Sequence, residues 1–331
     1  MMKKRHVLLA IIALVAISVV FAGPAVGAKK KFFAIATGGT GGTYYPLGGI
    51  LAQALSTQLP DIIVTAQSGN ASVANCNLIR EHEIESAFVQ NNVAYAAYTG
   101  TAQFEGNPVK NIRGIASLYP ETIQIVARAD AGIKTFIDIK GKRLIPGDRG
   151  SGTEVDTLNI LKALGMSYED FKNVDWLSFS GASQRLKDRQ ADVTFNTAGL
   201  PTSAITELAT TSDIVIVPID EALIAKIVKL YPFYSKFVIP AGMYKGVDVD
   251  TPTITTMAQW VVDARVPSDV VYRMTRALWE KEGKPAESAA DIMAKVHAKG
   301  KDVTLETALD GMAIPLHPGA AQYYREKGMI E

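Results

Sequence analysis

Short apolar runs and polar, glycine-containing turns alternate along this 331-residue chain. Residues 31–36 predict a strand, residues 38–46 a glycine-rich turn, and residues 47–55 a helix with its apolar positions on one face. Two further apolar runs, at 61–67 and 85–89, each end in small or amide side chains before another helical pattern. Strands that alternate with helices in this order predict an α/β fold built on a parallel sheet.

The first glycine-rich turn has the geometry of an anion site. Backbone N–H groups at a helix start and the helix dipole point at one spot, where the hydroxyls of Thr40, Thr43 and Tyr44 add donors. Ligands bind at the carboxyl ends of the strands in open parallel sheets, so the next two strand ends should join this face. They carry the amide side chains of Asn70, Gln90 and Asn91.

The same pattern restarts in the second half of the chain. Residues 112–119 and 122–128 predict two strands separated by Tyr119-Pro120-Glu121, and this kinked segment suits a crossing between two lobes. A second glycine-rich turn, at 146–153, precedes a helix and offers the hydroxyls of Ser151 and Thr153. Two such turns predict a cleft that closes on one anionic ligand from both sides.

The remaining pattern completes the two lobes. A further strand ends at Asn196-Thr197, residues 174–179 predict another strand, and residues 305–312 predict a helix. We expect the first lobe to comprise residues 29–119 and about 259–331, and the second lobe about 120–258.

The N-terminus has the layout of a secretory signal peptide. Positions 3–5 are basic, residues 7–22 form an apolar run, and small residues precede Lys29. We expect cleavage after about Ala28 and a periplasmic protein, with an uncleaved anchor as the alternative. Removing residues 1–28 takes away three basic residues and no acidic ones, so the formal net charge changes from +1 to −2. A near-neutral mature chain argues against nucleic acid as a partner.

Sequence motifs for catalysis and metal binding are incomplete. Tyr44 stands where a dinucleotide fingerprint needs its third glycine, and no lysine lies between Lys31 and Lys110 to complete a P-loop. The histidines lack HExxH spacing, and Cys76, expected in the core, is the one cysteine, which excludes an intrachain disulfide. We therefore predict no cofactor, no metal and no catalytic residue. Since catalytic triads are assembled in space, a serine hydrolase stays open.

Three residues each have two interpretations. Arg149, in the second turn, either clamps a ligand carboxylate with two hydrogen bonds or faces solvent. Tyr44 and Tyr119, at strand ends, either line a pocket or pack between elements. We include all three among the candidate ligand-binding residues.

Several segments, taken in order, resemble the TAXI family, whose members are the extracytoplasmic solute receptors of TRAP-type secondary transporters. The resemblance begins with GTGGTYYP at 39–46 and continues through SGN, FVQ, ASLYPE, GSGT, AGLP and PLHPGA along the mature chain. It implies a type II periplasmic-binding-protein fold, in which two α/β lobes joined by crossing strands close on a small organic anion.

The resemblance also implies a ligand and a partner. Family ligands include glutamate and related C4–C5 carboxylates, and such receptors deliver them to small and large integral-membrane permease subunits coupled to an ion gradient. We expect this receptor to be a monomer. The ligand-contacting positions that the resemblance implies are Thr40, Gly41, Gly42, Thr43, Tyr44, Asn70, Gln90, Asn91, Ser151, Gly152, Thr153, Asn196 and Thr197.

Two positions depart from the family pattern. The second turn carries Asp148-Arg149 where small or proline residues are usual, and the third strand end reads Gln90-Asn91-Asn92 where an acidic residue often follows. Apart from Asp148 no acidic residue stands out at the strand ends, so the sequence favours a dicarboxylate or a 2-oxoacid over glutamate. A secreted enzyme that uses the same cleft, or a sensor subunit that presents ligand to a membrane kinase, are the alternatives.

Overall fold

The computed structural model describes residues 30–281 and 287–331, so the predicted signal peptide lies outside the described residues. The strands are β1 (Lys31–Ala36), β2 (Ile62–Gln67), β3 (Ser86–Gln90), β4 (Ile112–Arg128), β5 (Arg143–Ile145), β6 (Asn173–Val174), β7 (Val193–Ala198), β8 (Ile214–Ile216), β9 (Ser235–Ile239) and β10 (Thr251–Asp263). The α-helices are α1 (Tyr44–Gln58), α2 (Ser72–Arg80), α3 (Asn91–Thr99), α4 (Gly152–Leu164), α5 (Phe179–Lys187), α6 (Ser203–Thr211), α7 (Glu221–Leu230), α8 (Ser268–Trp279), α9 (Ala289–Val296) and α10 (Pro318–Glu326). Within the two described ranges, no helix is both long and apolar enough to cross a membrane.

Two long strands, β4 and β10, lie side by side in the middle of the sheet. The strand order is β2-β1-β3-β10-β4-β7-β5-β6, with β8 also paired to β4 and β9 to β10. The short strands at both ends of this order are parallel, since β1 pairs with β2 and β3, and β5 pairs with β6 and β7. The long strands are antiparallel to each other and to their other neighbours.

The predicted break at Tyr119-Pro120-Glu121 is wrong, because β4 continues through it as one strand. Pro120 lies opposite Met257 of β10, and the pairing register shifts between Ala258 and Gln259. A proline lacks the N–H that a strand ladder needs, and it is tolerated beside such an irregularity. The crossing segment is therefore extended throughout and joins two parts of one sheet.

The sheet divides into two lobes, each with its own core. In the first lobe, β3 pairs with the C-terminal part of β10, which pairs in turn with the N-terminal part of β4. The other parts of β4 and β10 pair with β7, β8 and β9. Phe88 and Trp260 are buried in the first core, and Ile160 and Phe195 in the second. This confirms the predicted two-lobed α/β architecture, while the residue boundaries of the lobes stay a prediction.

Two shorter segments differ from their predictions. Residues 305–312 form successive turns rather than a helix, because carbonyls in this segment accept hydrogen bonds from β4. Ser117 donates its N–H to Ala308 and its hydroxyl to Asp310. The strand predicted at 174–179 is wrong, because only Val174 of this segment belongs to β6. The Ser178 hydroxyl accepts from the Gly181 N–H and caps α5, which already begins at Phe179.

Candidate functional site

A cavity lies between the two lobes, where both glycine-rich turns meet the starts of α1, α2, α4 and α5. Its free space, counted with the part open to solvent at the mouth, is about 540 Å³. We call it the interlobe cavity. It is lined by Gly38, Gly39, Gly42, Thr43, Tyr44, Gly69, Asn70, Ala71, Ser72, Gln90, Glu121, Asp148, Ser151, Gly152, Thr153, Ser178, Phe179, Thr197 and Ala198.

The first glycine-rich turn touches the second lobe directly. The Gly41 carbonyl accepts from the N–H of Ala204 at 3.1 Å, and the Thr43 hydroxyl oxygen accepts from the N–H of Gly199 at 3.1 Å. Thr43 is the N-cap residue of α1, yet its side chain makes no cap hydrogen bond to that helix. The N-terminus of α1 therefore lies at the cavity wall, and its N-cap side chain does not bond to the first N–H groups of the helix.

The second glycine-rich turn is held by the first lobe in return. The Gly150 carbonyl accepts from the N–H groups of Val73 at 3.1 Å and Ala74 at 3.0 Å, both in the first turn of α2. The Ser151 hydroxyl caps α4 by accepting from the N–H of Glu154 at 3.1 Å. The two lobes thus meet through backbone groups at both turns.

Glu121 places a buried carboxyl at the interlobe cavity from the middle of β4. It is 2% exposed, and its Oε2 accepts from the Tyr44 hydroxyl at 2.7 Å. Burial raises the pKa of this carboxyl well above its usual range, the Tyr44 hydrogen bond lowers it, and the nearby Asp156 raises it further. Burial also raises the pKa of Asp148. No Lys, Arg or His is among the described residues that line the cavity.

Asp156, on α4 behind the cavity wall, is a fully buried carboxyl with four hydrogen-bond donors. Its Oδ2 accepts from Gln90 Nε2 at 3.0 Å and from the Thr197 hydroxyl at 2.7 Å. Its Oδ1 accepts from Asn92 Nδ2 at 3.0 Å and from the Tyr234 hydroxyl at 2.6 Å. Burial raises the pKa of Asp156 to about 6, and the four hydrogen bonds oppose that rise. We call these five residues the Asp156 cluster.

The structure brings most of the sequence-predicted residues to the interlobe cavity. Those that line it are Gly42, Thr43, Tyr44, Asn70, Gln90, Ser151, Gly152, Thr153 and Thr197. Those that do not are Thr40, Gly41, Asn91, Tyr119, Arg149 and Asn196. Ligand contact by the first group stays a prediction.

The residues outside the cavity wall have other partners. The Asn91 side-chain oxygen accepts from the Thr256 hydroxyl of β10. Tyr119 is fully buried in the first core, and burial raises the pKa of its hydroxyl well above its usual range. The exposed Arg149 guanidinium lies 3.7 Å from the centre of the Trp176 ring. Tyr119 therefore packs between elements, and Arg149 is held at the surface of the second lobe.

Several cavity residues were outside the predicted set, namely Glu121, Asp148, Ser72, Ser178 and Phe179. Glu121 gave no usable signal, because the predicted break at Tyr119-Pro120-Glu121 placed it between two strands rather than inside one. Phe179 was missed because a strand was predicted at this position, whereas Phe179 begins the helix α5 at the cavity wall.

The single cysteine and the possible metal ligands add no second site. Cys76 is buried and free, as predicted, and burial raises the pKa of its thiol. In the described part of the chain, no group of three or more His, Cys, Asp or Glu side chains is placed to hold a metal ion.

Solved structures similar to this chain include binding proteins with the same two-lobed fold. The alkanesulfonate-binding protein SsuA from Xanthomonas axonopodis pv. citri, bound to MOPS, is 14% identical, with a TM-score of 0.50 over 90% of this chain and 85% of that one. A binding-protein component of an ABC phosphonate transporter from Pseudomonas aeruginosa is 12% identical, with a TM-score of 0.50 over 91% and 96%. The periplasmic binding protein BugD is 12% identical, with a TM-score of 0.53 over 91% and 94%. At these low identities the similarity shows only the fold, which is the periplasmic-binding-protein fold that the sequence predicts.

A match to a family model extends over both lobes. The model of the NMT1-like family matches residues 35–328, which include both glycine-rich turns, the long crossing strands and the Asp156 cluster. Because this match spans nearly the whole described chain, the protein belongs to the NMT1-like family.

Proposed function

We propose that this protein is an extracytoplasmic solute-binding receptor that captures a small organic anion between its lobes and delivers it to a membrane transporter. The observation that carries this proposal is the interlobe cavity, at whose wall four helices begin. Helix N-termini attract anions through their N–H groups and dipoles, so an acidic group can bind here without a cationic side chain. The similar structures are binding proteins rather than enzymes, which supports a non-catalytic role.

The two carboxyls at the cavity favour a ligand that carries an ammonium group as well as an acid. Glu121 and Asp148 both line the cavity, whose described lining offers no cationic side chain. A dicarboxylate or a 2-oxoacid would offer these two carboxyls no N–H donor, whereas the ammonium group of a glutamate-like amino acid would offer N–H donors to Glu121. We therefore rank glutamate-like ligands above the dicarboxylates and 2-oxoacids that the sequence alone favoured.

The class of transporter has two candidates. The motif resemblance to the TAXI family supports integral-membrane TRAP permease subunits as the partner. A similar structure from Pseudomonas aeruginosa is a component of an ABC phosphonate transporter, which makes an ABC permease the second candidate. Co-purification of the tagged receptor with each permease, expressed in the same cells, would distinguish them.

Export to the periplasm is part of the same proposal. The basic head, apolar run and small residues of positions 1–28 support it. Fractionation of cells that express the full chain should place the protein in the periplasm, shortened by about 28 residues. A full-length product in the membrane fraction would instead support the anchor.

A thermal-shift screen of residues 29–331 tests the ligand class. The panel comprises L-glutamate and other amino acids, succinate and other dicarboxylates, 2-oxoglutarate, alkanesulfonates and phosphonates. A bound compound raises the melting temperature by mass action, and we expect the largest increase with acidic amino acids. A larger increase with 2-oxoglutarate than with L-glutamate would reverse our ranking. No increase with any organic acid would contradict the proposed function.

A further inference from the structure

The Asp156 cluster is made by both lobes. Gln90 ends β3 and Asn92 lies in the first turn of α3, so both belong to the first lobe. Asp156 lies on α4, and Tyr234 is buried in the core of the second lobe. Each oxygen of the Asp156 carboxyl therefore accepts one hydrogen bond from the first lobe and one from the second.

Gln90 is the member that connects this cluster to the ligand site. It lines the interlobe cavity, while its Nε2 donates to Asp156. Its Oε1 lies against α4 so closely that a Cβ added to Gly152 would be 2.0 Å from it. The Gln90 side chain is thus held from two sides by one helix of the opposite lobe.

Asp156 is an unusual group on which to join two lobes, because none of its four hydrogen-bond donors is a cation. A buried carboxylate is tolerated only when its hydrogen bonds replace those it made to water. Without the two donors of the first lobe, each oxygen would keep only one of its two hydrogen bonds. The arrangement in which Gln90 and Asn92 contact α4 therefore supplies one of the two donors to each oxygen.

We propose that Asp156 is a positioning residue that joins the two lobes and fixes Gln90 at the wall of the interlobe cavity. Ligand capture and lobe contact would then depend on the same carboxyl group. The contact between the lobes needs no assumption about the ligand, and only the effect on binding rests on the proposed function.

A double-mutant cycle tests the contact without any ligand. Asp156→Asn places an N–H₂ group where two donors now converge, and Asn92→Ala removes one donor of the first lobe. Measured by urea unfolding, the two changes should be coupled by at least tenfold in the unfolding equilibrium, equivalent to about 1.4 kcal/mol. The matched control is Thr157→Val, the next buried residue of α4, whose hydroxyl donates within the second lobe to Pro146 and Thr153.

The expected results separate a joining role from a merely structural one. Thr157→Val and Asn92→Ala should be additive, whereas Asp156→Asn and Asn92→Ala should not. Additivity of the second pair would overturn the proposal, because it would mean that the hydrogen bond between the lobes is not made in solution.

Titration of the same carboxyl gives an independent readout. Glu121 and Tyr234 are the titratable groups that interact with Asp156, and both are buried. Because the pKa of Asp156 is raised from 3.8 to about 6, its contribution to stability is complete below pH 3.8 and is lost as the pH rises through about 6. The ratio of the unfolding constants of Asp156→Asn and the parent should therefore fall by roughly thirtyfold between pH 4 and pH 6 and become level above about pH 7. A ratio independent of pH would contradict burial of this carboxyl between the lobes.

Binding by L-glutamate, 2-oxoglutarate and succinate completes the test. By isothermal titration calorimetry, Asp156→Asn should weaken any of these probes that binds by at least tenfold, and Thr157→Val by less than twofold. Equal affinities for all three proteins would overturn the positioning of Gln90. If no probe binds the parent protein, the proposed ligand class fails, while the cycle and the pH profile still decide whether Asp156 joins the lobes.

Discussion

The two glycine-rich turns look alike in sequence but need glycine for different physical reasons. In the second turn, Gly147 and Gly150 have φ angles of 105° and 78°, which residues with a side chain rarely adopt. Gly41, in the first turn, has no positive φ but lies against the opposite lobe, where an added Cβ would be 2.5 Å from Ser180 Oγ. The second turn uses glycine to bend the backbone, and the first uses it to let the lobes approach.

This difference teaches that position in a motif does not fix what a glycine does. Gly152 belongs to the second turn, yet it shares the role of Gly41, because it lies at the start of α4 and faces Gln90. Substitutions at Gly41 and Gly152 should therefore act on the contact between lobes, whereas substitution at Gly150 should act on folding.

Gly152→Ala should have the largest effect on ligand affinity. Its Cβ would lie 2.0 Å from Gln90 Oε1 and 2.9 Å from Ser72 Oγ, so the lobes could not approach as closely. Overpacking of this kind costs roughly 1–3 kcal/mol, which predicts about 5- to 150-fold weaker binding of the best compound from the screen, measured by calorimetry. The fold of α4 should not suffer, because alanine is the better helix former.

The matched control for this variant is Gly49→Ala, in the interior of α1. A Cβ at Gly49 meets no atom within 4 Å, so the substitution should stabilise the protein by roughly 0.5–1 kcal/mol and leave the affinity unchanged. If Gly152→Ala bound ligand as tightly as Gly49→Ala, the close approach of Gln90 to α4 would not be part of the binding state.

Gly41→Ala should weaken binding by a smaller factor, about tenfold. The nearest atom is the hydroxyl of Ser180, which can rotate away, whereas the Ala204 Cβ at 3.2 Å and the Ser180 N at 3.3 Å can give only slightly. The double variant Gly41→Ala/Ser180→Ala should recover part of the affinity, because it removes the hydroxyl. Calorimetry on the parent, the two single variants and the double variant measures this recovery. No recovery would assign the loss to the Ala204 Cβ and the Ser180 N instead of the Ser180 hydroxyl.

The alternation of strands and helices could be predicted because each element carries its own periodicity. The strands β1, β2 and β3 and the helices that follow them lie where local pattern places them. The continuity of β4 through Pro120 could not be predicted, because it depends on pairing with β10, which comes much later in the chain. The turns at 305–312 escaped prediction for the same reason, since their carbonyls bind β4.

The candidate site was predictable where it is made by strand ends and not where it is made by crossing elements. Thr43 and Ser151 follow strands, Thr197 lies near the end of β7, and all three line the cavity. Glu121 comes from the middle of a strand and Asp156 from inside a helix, so neither belongs to a turn motif. Their roles follow only from the partners that the opposite lobe or a distant segment brings to them.

Gly150→Ala should lower stability while leaving the affinity nearly unchanged. No atom lies within 4 Å of an added Cβ, so the cost of roughly 1 kcal/mol comes from the positive φ alone. Gly150→Asn should be less destabilising than Gly150→Ala, because asparagine adopts this conformation more readily. Urea unfolding and calorimetry on the same samples check both statements, and an equal loss in the two variants would point away from backbone strain.

Arg149→Ala should have the smallest effect on binding, less than about twofold, because the guanidinium stacks on Trp176 and is not at the cavity wall. Loss of an exposed cation–π contact predicts a stability decrease of roughly 0.5–1 kcal/mol. Arg149→Lys keeps the charge but not the planar stacking, so it should fall between the parent and Arg149→Ala in stability and match both in affinity. A loss of more than tenfold in affinity for Arg149→Ala, restored by lysine, would instead support the carboxylate clamp that the sequence allowed. The second turn would then contribute a side-chain charge as well as a backbone bend.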